Sequence, residues 1–332
     1  MFAVVLVGGF GTRLRPLTDD VPKPMLPIVH RPMIVRLAER LAEGGVTDVV
    51  LALGFRPEPF RDAFPDGRVG TSGVRVHYAV EPEPLDTAGA VAFAARSVGV
   101  DDTFVVANGD VLTDVSIGWL VTEHRRIGVD ATIHLIPVDD PSAFGVVELD
   151  GPIVRRFVEK PAAGESDSFL VNAGTYVFEP AVLDLVEPGR RVSIERSTFP
   201  ALVSQRRLAA VASDDYWIDA GRPETYRRAN IDLVTGRRGA ALDGVAPGAV
   251  IDASASIDAS VVAEHAVVGA GAEVVRSVVL DGAVVGAGAS VVDSIVVGSV
   301  GASARLIDCV VGAGHSVDAG AELVGVRVPE PS

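Results

Sequence analysis

In the last third of the chain, aliphatic residues return at every sixth position: Val262, Val268 and Val274, then Val279, Val285 and Val291, then Val311, Val317 and Leu323. Glycine and small residues follow them, as in Val285-Gly286-Ala287-Gly288 and Val311-Gly312-Ala313-Gly314. Such a period means one inward aliphatic and one tight corner per face, with three faces to a coil, which is the hexapeptide pattern of a parallel β-helix. A longer repeat agrees. Ser277-Val278-Val279, Ser294-Ile295-Val296 and Cys309-Val310-Val311 begin successive coils, 17 and 15 residues apart. Cys309 therefore stands where the other coils put serine, and reads as a small packing residue.

Ahead of this array the pattern is different. Up to about residue 235, short apolar runs alternate with helical patterns, which predicts an α/β domain with a mostly parallel sheet covered by helices. Strands are expected at Ala3–Val7, Asp48–Leu53, Val74–Ala79, Thr103–Ala107 and Asp130–Pro137. Met33, Ile34, Leu37 and Leu41 mark one helix face with Pro32 in its first turn, and Thr87–Val98 and Ile117–Arg126 read as further helices. The composition shifts after Arg237-Arg238-Gly239, so the expected domains are 1–235 and 236–332. A chain of 332 residues has room for both cores.

The formal charge of −15 argues against nucleic acid and anionic membranes as partners, since both reward basic surfaces. Any anionic substrate has to be captured by local cations. Cys309 is the single cysteine, so an internal disulfide is excluded and a reducing compartment fits. The apolar start lacks a basic leader region, and no apolar run is long enough to span a bilayer. A soluble cytoplasmic protein is expected.

Local cations are present near the start. Val4-Val5-Leu6-Val7 reads as a buried strand, and Gly8-Gly9-Phe10-Gly11-Thr12-Arg13-Leu14-Arg15-Pro16 follows it. Glycines let backbone N–H groups approach phosphate oxygens closely, and Arg13, Arg15 and Lys23 supply charge. Lysine is rare here: of 29 basic residues only Lys23 and Lys160 are lysines, each followed by proline. A chain that uses arginine for ordinary surface charge keeps a compact ammonium at these two places, and the two cations are not interchangeable at a tight phosphate contact. A Walker A loop is excluded because Gly11 is followed by Thr12-Arg13, and a Rossmann fingerprint is excluded by Leu14 and Pro16.

The run GGFGTRLRPLT followed by Pro22-Lys23-Pro24 resembles the signature of the sugar-1-phosphate nucleotidyltransferases, in the form carried by their mannose-1-phosphate guanylyltransferase branch. The resemblance implies a Rossmann-like nucleotidyltransferase domain followed by a left-handed β-helix. It implies that a sugar phosphate oxygen attacks the α-phosphorus of a nucleoside triphosphate and that pyrophosphate leaves. The nucleophile is already ionised at neutral pH, so positioning and charge neutralisation carry the catalysis. Arg13, Lys23, Asp110 and Asp219 are the catalytic set that it implies, with Asp110 and Asp219 holding Mg²⁺. Val7, Gly8, Gly9, Gly11, Thr12, Arg13, Lys23, Glu81, Asp86, Thr87, Ala88, Gly109 and Asp110 become nucleotide-binding residues. Gly145 (of the pair Phe144-Gly145), Glu159, Lys160 and Asn172 become sugar-phosphate-binding residues. Arg15 is divided between a phosphate contact and a structural ion pair.

The base is the open point. A carboxylate at Glu81 can accept from guanine N1 and N2, although a solvated loop carboxylate is equally in keeping with the sequence. Asp86 departs from the family's Leu-Gly-Thr; it can read guanine or a ribose hydroxyl, or cap the helix that begins at Thr87. GTP and mannose 1-phosphate are the leading substrates. Glucose-1-phosphate thymidylyl transfer, another NDP-sugar pyrophosphorylase and a bifunctional enzyme with acyltransferase activity in the β-helix are the alternatives, as is a regulatory subunit without activity. His265 and His315 read as exposed corner residues of the coils, and a homo-oligomer is expected.

Overall fold

The computed structural model describes residues 1–9, 11–54 and 57–330; Phe10 of the glycine loop lies outside them. The chain forms two compact units, one of Met1–Gly9 with Ile34–Trp217 and the other of Phe10–Met33 with Ile218–Ser332.

The first unit is built on a ten-stranded sheet. Its strands are β1 (Phe2–Leu6), β2 (Asp48–Leu53), β3 (Arg68–Val69), β4 (Val74–Val80), β5 (Phe104–Asn108), β6 (Ala131–Pro137), β7 (Gly145–Asp150), β8 (Ile153–Glu159), β9 (Leu170–Phe178) and β10 (Leu208–Ala212). They lie in the order β7-β8-β10-β6-β9-β5-β1-β2-β4-β3. The centre is parallel: β1 pairs with β5 and β2, and β2 with β4. Ala3, Val4 and Val5 have no exposed surface, as expected of a strand with helices or chain on both faces. Beyond β5 the sheet turns mixed. β9 runs antiparallel between β5 and β6, and β7 and β8 form an antiparallel pair at the far edge. Helices α1 (Met33–Glu43), α2 (Asp86–Ser97) and α3 (Ile117–Ile127) fall where the apolar spacing places them, although Pro32 belongs to a short extended segment just before α1.

The sheet fixes where its loops emerge. Leu6 and Asn108 are partners at the carboxyl ends of parallel neighbours, and the Gly109 N–H bonds Leu6 O at 2.9 Å. Gly8-Gly9 and Gly109-Asp110 thus leave the sheet side by side, at the edge where open α/β sheets take ligands. Glu81 follows β4 at the same edge, its N–H bonded to Leu53 O at 2.8 Å.

The second unit stacks three five-stranded parallel sheets, the three faces of a β-helix, consistent with the left-handed form. Val262, Val268, Val274, Val279, Val285, Val291, Val296 and Val311 point into its core and are essentially unexposed. Serines stitch the coils. Ser277 N–H bonds Ser260 Oγ, Ser294 N–H bonds Ser277 Oγ, and Cys309 N–H bonds Ser294 Oγ, each at 3.0 Å. Helix α4 (Pro223–Val234) belongs to this unit, where Asn230 Oδ1 accepts from Val29 N–H at 2.8 Å and Arg227 Nη1 reaches Asp293 Oδ1 at 2.6 Å. Among the described residues no helix is long and apolar enough to cross a membrane.

Candidate active site

In the second unit, the glycine-loop cations and one acidic residue are brought together. Gly11, at φ 59°, caps the 3-10 turn Thr12–Leu14, and a Cβ there would stand 3.0 Å from Thr18 Cγ2. A left-handed backbone with that close approach is a position for glycine. The turn presents an exposed Arg13. A second 3-10 turn, Lys23–Met25, buries Pro24 and leaves the Lys23 side chain 11% exposed. Lys23 Nζ lies 3.7 Å from Asp219 Oδ1. Gly221 lies against all three: a Cβ there would come within 2.6 Å of Asp219 Oδ1, 2.8 Å of Lys23 Nζ and 3.2 Å of Arg13 Nη2. Arg15 pairs with Asp19 at 3.4 Å, one turn away.

In the first unit two groups form. Around the glycines, Gly8 packs beside Glu81, whose Oε1 would be 3.8 Å from a Cβ at position 8. Glu81 is buried, and its Oε2 accepts from Leu85 N–H at 2.8 Å. Burial pushes its carboxyl above the ordinary range against the pull of that N–H, and Asp86 pushes the same way. Asp86 opens α2 at φ 61° and accepts from Thr87 N–H at 2.8 Å, so a residue other than glycine holds the left-handed position with help from its own carboxylate. Thr87 donates to Glu195 Oε2 at 3.0 Å and accepts from Ile194 N–H at 2.7 Å. Ala88 N–H bonds Val192 O at 2.9 Å.

The other group lies at the ends of β7, β8 and β9. Gly145 faces Glu159; a Cβ there would run into the Phe157 ring and come within 3.1 Å of Glu159 Oε2. Glu159 is held above the usual carboxylate range, first by burial and then by the charge of Glu195, against Lys160 and Arg196. Lys160 has φ 50° and a largely exposed side chain with Nζ 3.7 Å from Glu159 Oε1. Asn172 donates to Tyr176 Oη at 2.9 Å and accepts from Gly174 N–H at 3.0 Å. Phe144 meets Trp217 edge to face at 5.5 Å, and Trp217 Nε1 donates to Ala173 O at 2.8 Å.

Asp110 follows β5, and its charge reaches the buried Tyr176. Asp110 and Asp219 are hard oxygen donors of the kind Mg²⁺ takes in small number beside phosphate oxygens and water. Among the described residues no three His, Cys, Asp or Glu side chains gather as a complete protein cage. Asp219 lies beside the Lys23 side chain and under a bare glycine.

Residues 2–236 match the family model described as nucleotidyl transferase. The chain belongs to the nucleotidyl transferase family. Relatives within it include a mannose-1-phosphate guanylyltransferase of Mycobacterium tuberculosis, 42% identical over 237 residues, covering 70% of this chain and 65% of that one. A mannose-1-phosphate guanyltransferase of Schizosaccharomyces pombe is 41% identical over 230 residues, covering 68% and 62%. The chain spans slightly less than two thirds of the length of these relatives. Among solved structures, a protein of Bacillus anthracis described as a putative glucose-1-phosphate thymidylyltransferase superposes with a TM-score of 0.64 at 25% identity, over 73% of this chain and 98% of that one. HddC of Yersinia pseudotuberculosis gives 0.58 at 28% identity, over 69% and 97%. Members of the nucleotidyl transferase family typically use Mg²⁺.

Sequence reasoning passed over Glu195, which touches Thr87 and Ser193 and acts on Glu159 and Tyr176. Its neighbourhood, Val192-Ser193-Ile194-Glu195-Arg196, carries no motif. Gly221 was legible only as part of Asp219-Ala220-Gly221. Both β-helix histidines are exposed. His265 Nδ1 lies 3.0 Å from Asp281, and His315 Nδ1 lies 2.8 Å from Ala313 O.

Proposed function

We propose that this protein transfers guanosine monophosphate from GTP to mannose 1-phosphate and releases pyrophosphate. The observation that carries the reading is the gathering of Arg13, Lys23 and Asp219 around Gly221, which concentrates positive charge at a glycine loop in a chain of net charge −15. The choice of substrates is supported by the names of the relatives and by Glu81, a buried carboxylate beside Gly8 that can accept from two adjacent N–H donors.

In this mechanism the mannose phosphate needs no general base, because a phosphate monoester is mostly dianionic at neutral pH. The chain supplies position and charge. Lys23 neutralises the α-phosphate as negative charge grows there. Arg13 holds the departing pyrophosphate. Lys160 neutralises the sugar phosphate, and Glu159 and Asn172 accept from and orient sugar hydroxyls. Asp110 and Asp219 would hold Mg²⁺, which supplies Lewis acidity and a template for the phosphates. The catalytic domain is taken as 1–235, in keeping with the family model's span, and 236–332 as the β-helix. A cytoplasmic homo-oligomer acting on these small molecules completes the reading.

A second reading, dTTP with glucose 1-phosphate, is favoured by the likeness to the thymidylyltransferase structure. Pyrophosphate release decides between them. With Mg²⁺ present, GTP and mannose 1-phosphate should give the fastest turnover of a panel of nucleoside triphosphates and sugar 1-phosphates. Preference for dTTP and glucose 1-phosphate would install the second reading, and no release from any pair would remove both.

A further inference from the structure

Two positions in the last two coils of the β-helix break its repeat, and both face the same turn. On one sheet Val261, Val278, Ile295, Val310 and Arg327 are aligned partners in successive coils. Four are buried aliphatics; the fifth is an arginine. Arg327 Nη1 donates to Arg13 O and to Arg15 O, each at 3.0 Å. The second break follows the inward valine of the same strands. Register places Ala263, Leu280, Val297 and Gly312 in equivalent corners. Only the last is bare, and a Cβ there would stand 2.8 Å from both Cβ and Cγ of Pro16. These two neighbouring coils therefore grip residues 13 to 16 twice, once through carbonyl oxygens and once through packing. Leu14 between the two carbonyls is fully buried.

We propose that Arg327 is a positioning residue for the nucleoside triphosphate, fixing the Thr12–Leu14 turn from behind so that the Arg13 guanidinium is held ready for the β- and γ-phosphates. The proposal rests on the reading of Arg13 as a phosphate ligand. Its physical basis is simple. A 3-10 turn of three residues has few hydrogen bonds of its own, and an exposed arginine loses binding energy whenever its backbone wanders. A charged donor bridging two carbonyls removes that freedom before the ligand arrives.

The test is steady-state kinetics of the full chain with GTP and mannose 1-phosphate, comparing Arg327→Ala, Arg327→Lys, Gly312→Ala and Arg13→Ala. Arg327→Ala should raise the KM for GTP about tenfold and leave the KM for mannose 1-phosphate within about twofold, the scale expected of a lost charge-assisted bond. Arg327→Lys should recover part of the loss. Gly312→Ala should shift the same parameter without altering charge. If Arg13→Ala raises the KM for GTP while Arg327→Ala and Gly312→Ala do not, the positioning role is overturned and the phosphate reading stands. If Arg13→Ala itself has no effect, the phosphate reading fails and takes this proposal with it. Should Arg327→Ala lose its melting transition, Arg327→Lys and Gly312→Ala decide by the same KM comparison.

Discussion

Lys23 and Asp219, far apart in sequence, meet with Nζ 3.7 Å from Oδ1. The ammonium and the carboxylate neutralise one another while the site is open to water. On the proposed function, a triphosphate that reached the lysine would weaken that pairing and leave the carboxylate available to a cation, so that an anion and a metal would be taken up together.

Gly221 sets how closely these groups can approach. A methyl group at that position would press on Asp219 Oδ1 and Lys23 Nζ at once. Gly221→Ala should lower kcat/KM by about tenfold or more, about 1.4 kcal/mol, with circular dichroism and melting temperature close to wild type. Wild-type kinetics in that variant would show that the cluster tolerates displacement.

On the proposed function, Glu81 connects base choice to pH. Only its ionised form can accept from two guanine donors, and burial raises its carboxyl above the ordinary range. The KM for GTP should therefore climb on acidification at a higher pH than an ordinary carboxylate allows. Glu81→Gln should abolish that dependence and reduce the preference for GTP over dTTP. A pH profile identical in wild type and variant would remove Glu81 from base recognition.

His134 makes a prediction about stability. It is fully buried in β6, bonds Ser213 Oγ at 2.8 Å, and burial pushes it down to about 4, against the charge of Asp215. The unfolded chain takes up this proton below about 6.5, whereas the native chain refuses it until about 4. Stability should therefore fall as pH drops through that window, by up to roughly 1.4 kcal/mol per pH unit from this group. Urea midpoints of His134→Gln measured across the window should lack that component of the slope.

Cys309 should be chemically silent. Its N–H bonds Ser294 Oγ at 3.0 Å and its thiol points to Ile307 O at 3.3 Å, the same stitch that serine makes in the earlier coils. Cys309→Ser should change stability by less than about 0.5 kcal/mol. A thiol reagent should label wild type only as fast as the coil opens.

Much of this architecture can be read from residues alone, for identifiable reasons. The six-residue period admits one inward residue per face, so the coils and even the serine position of Cys309 follow from spacing. The strands expected at the start of the chain appear within a residue or so of their bounds, because runs buried on both faces carry a continuous apolar signal and β4, exposed along one face, alternates instead. The antiparallel strands β7 and β8 were visible only through Gly145 and Glu159, since half-buried strands mix polar and apolar residues, and the largely buried β9 only through Asn172, where Asn172-Ala173-Gly174 interrupts its apolar run. Least legible were residues 10–33, which join the second unit. Nothing local in that stretch announces Arg327 or Gly221, because such contacts arise only when distant segments close on one another.

The most direct test is a double-mutant cycle on pyrophosphate release from GTP and mannose 1-phosphate, using Lys23→Arg, Asp219→Asn and the pair. Each single change should lower kcat at least about tenfold, and the double variant should lose less than the product of the two, because the residues form one pair. Wild-type turnover in both single variants would contradict the assignment of catalysis to this cluster.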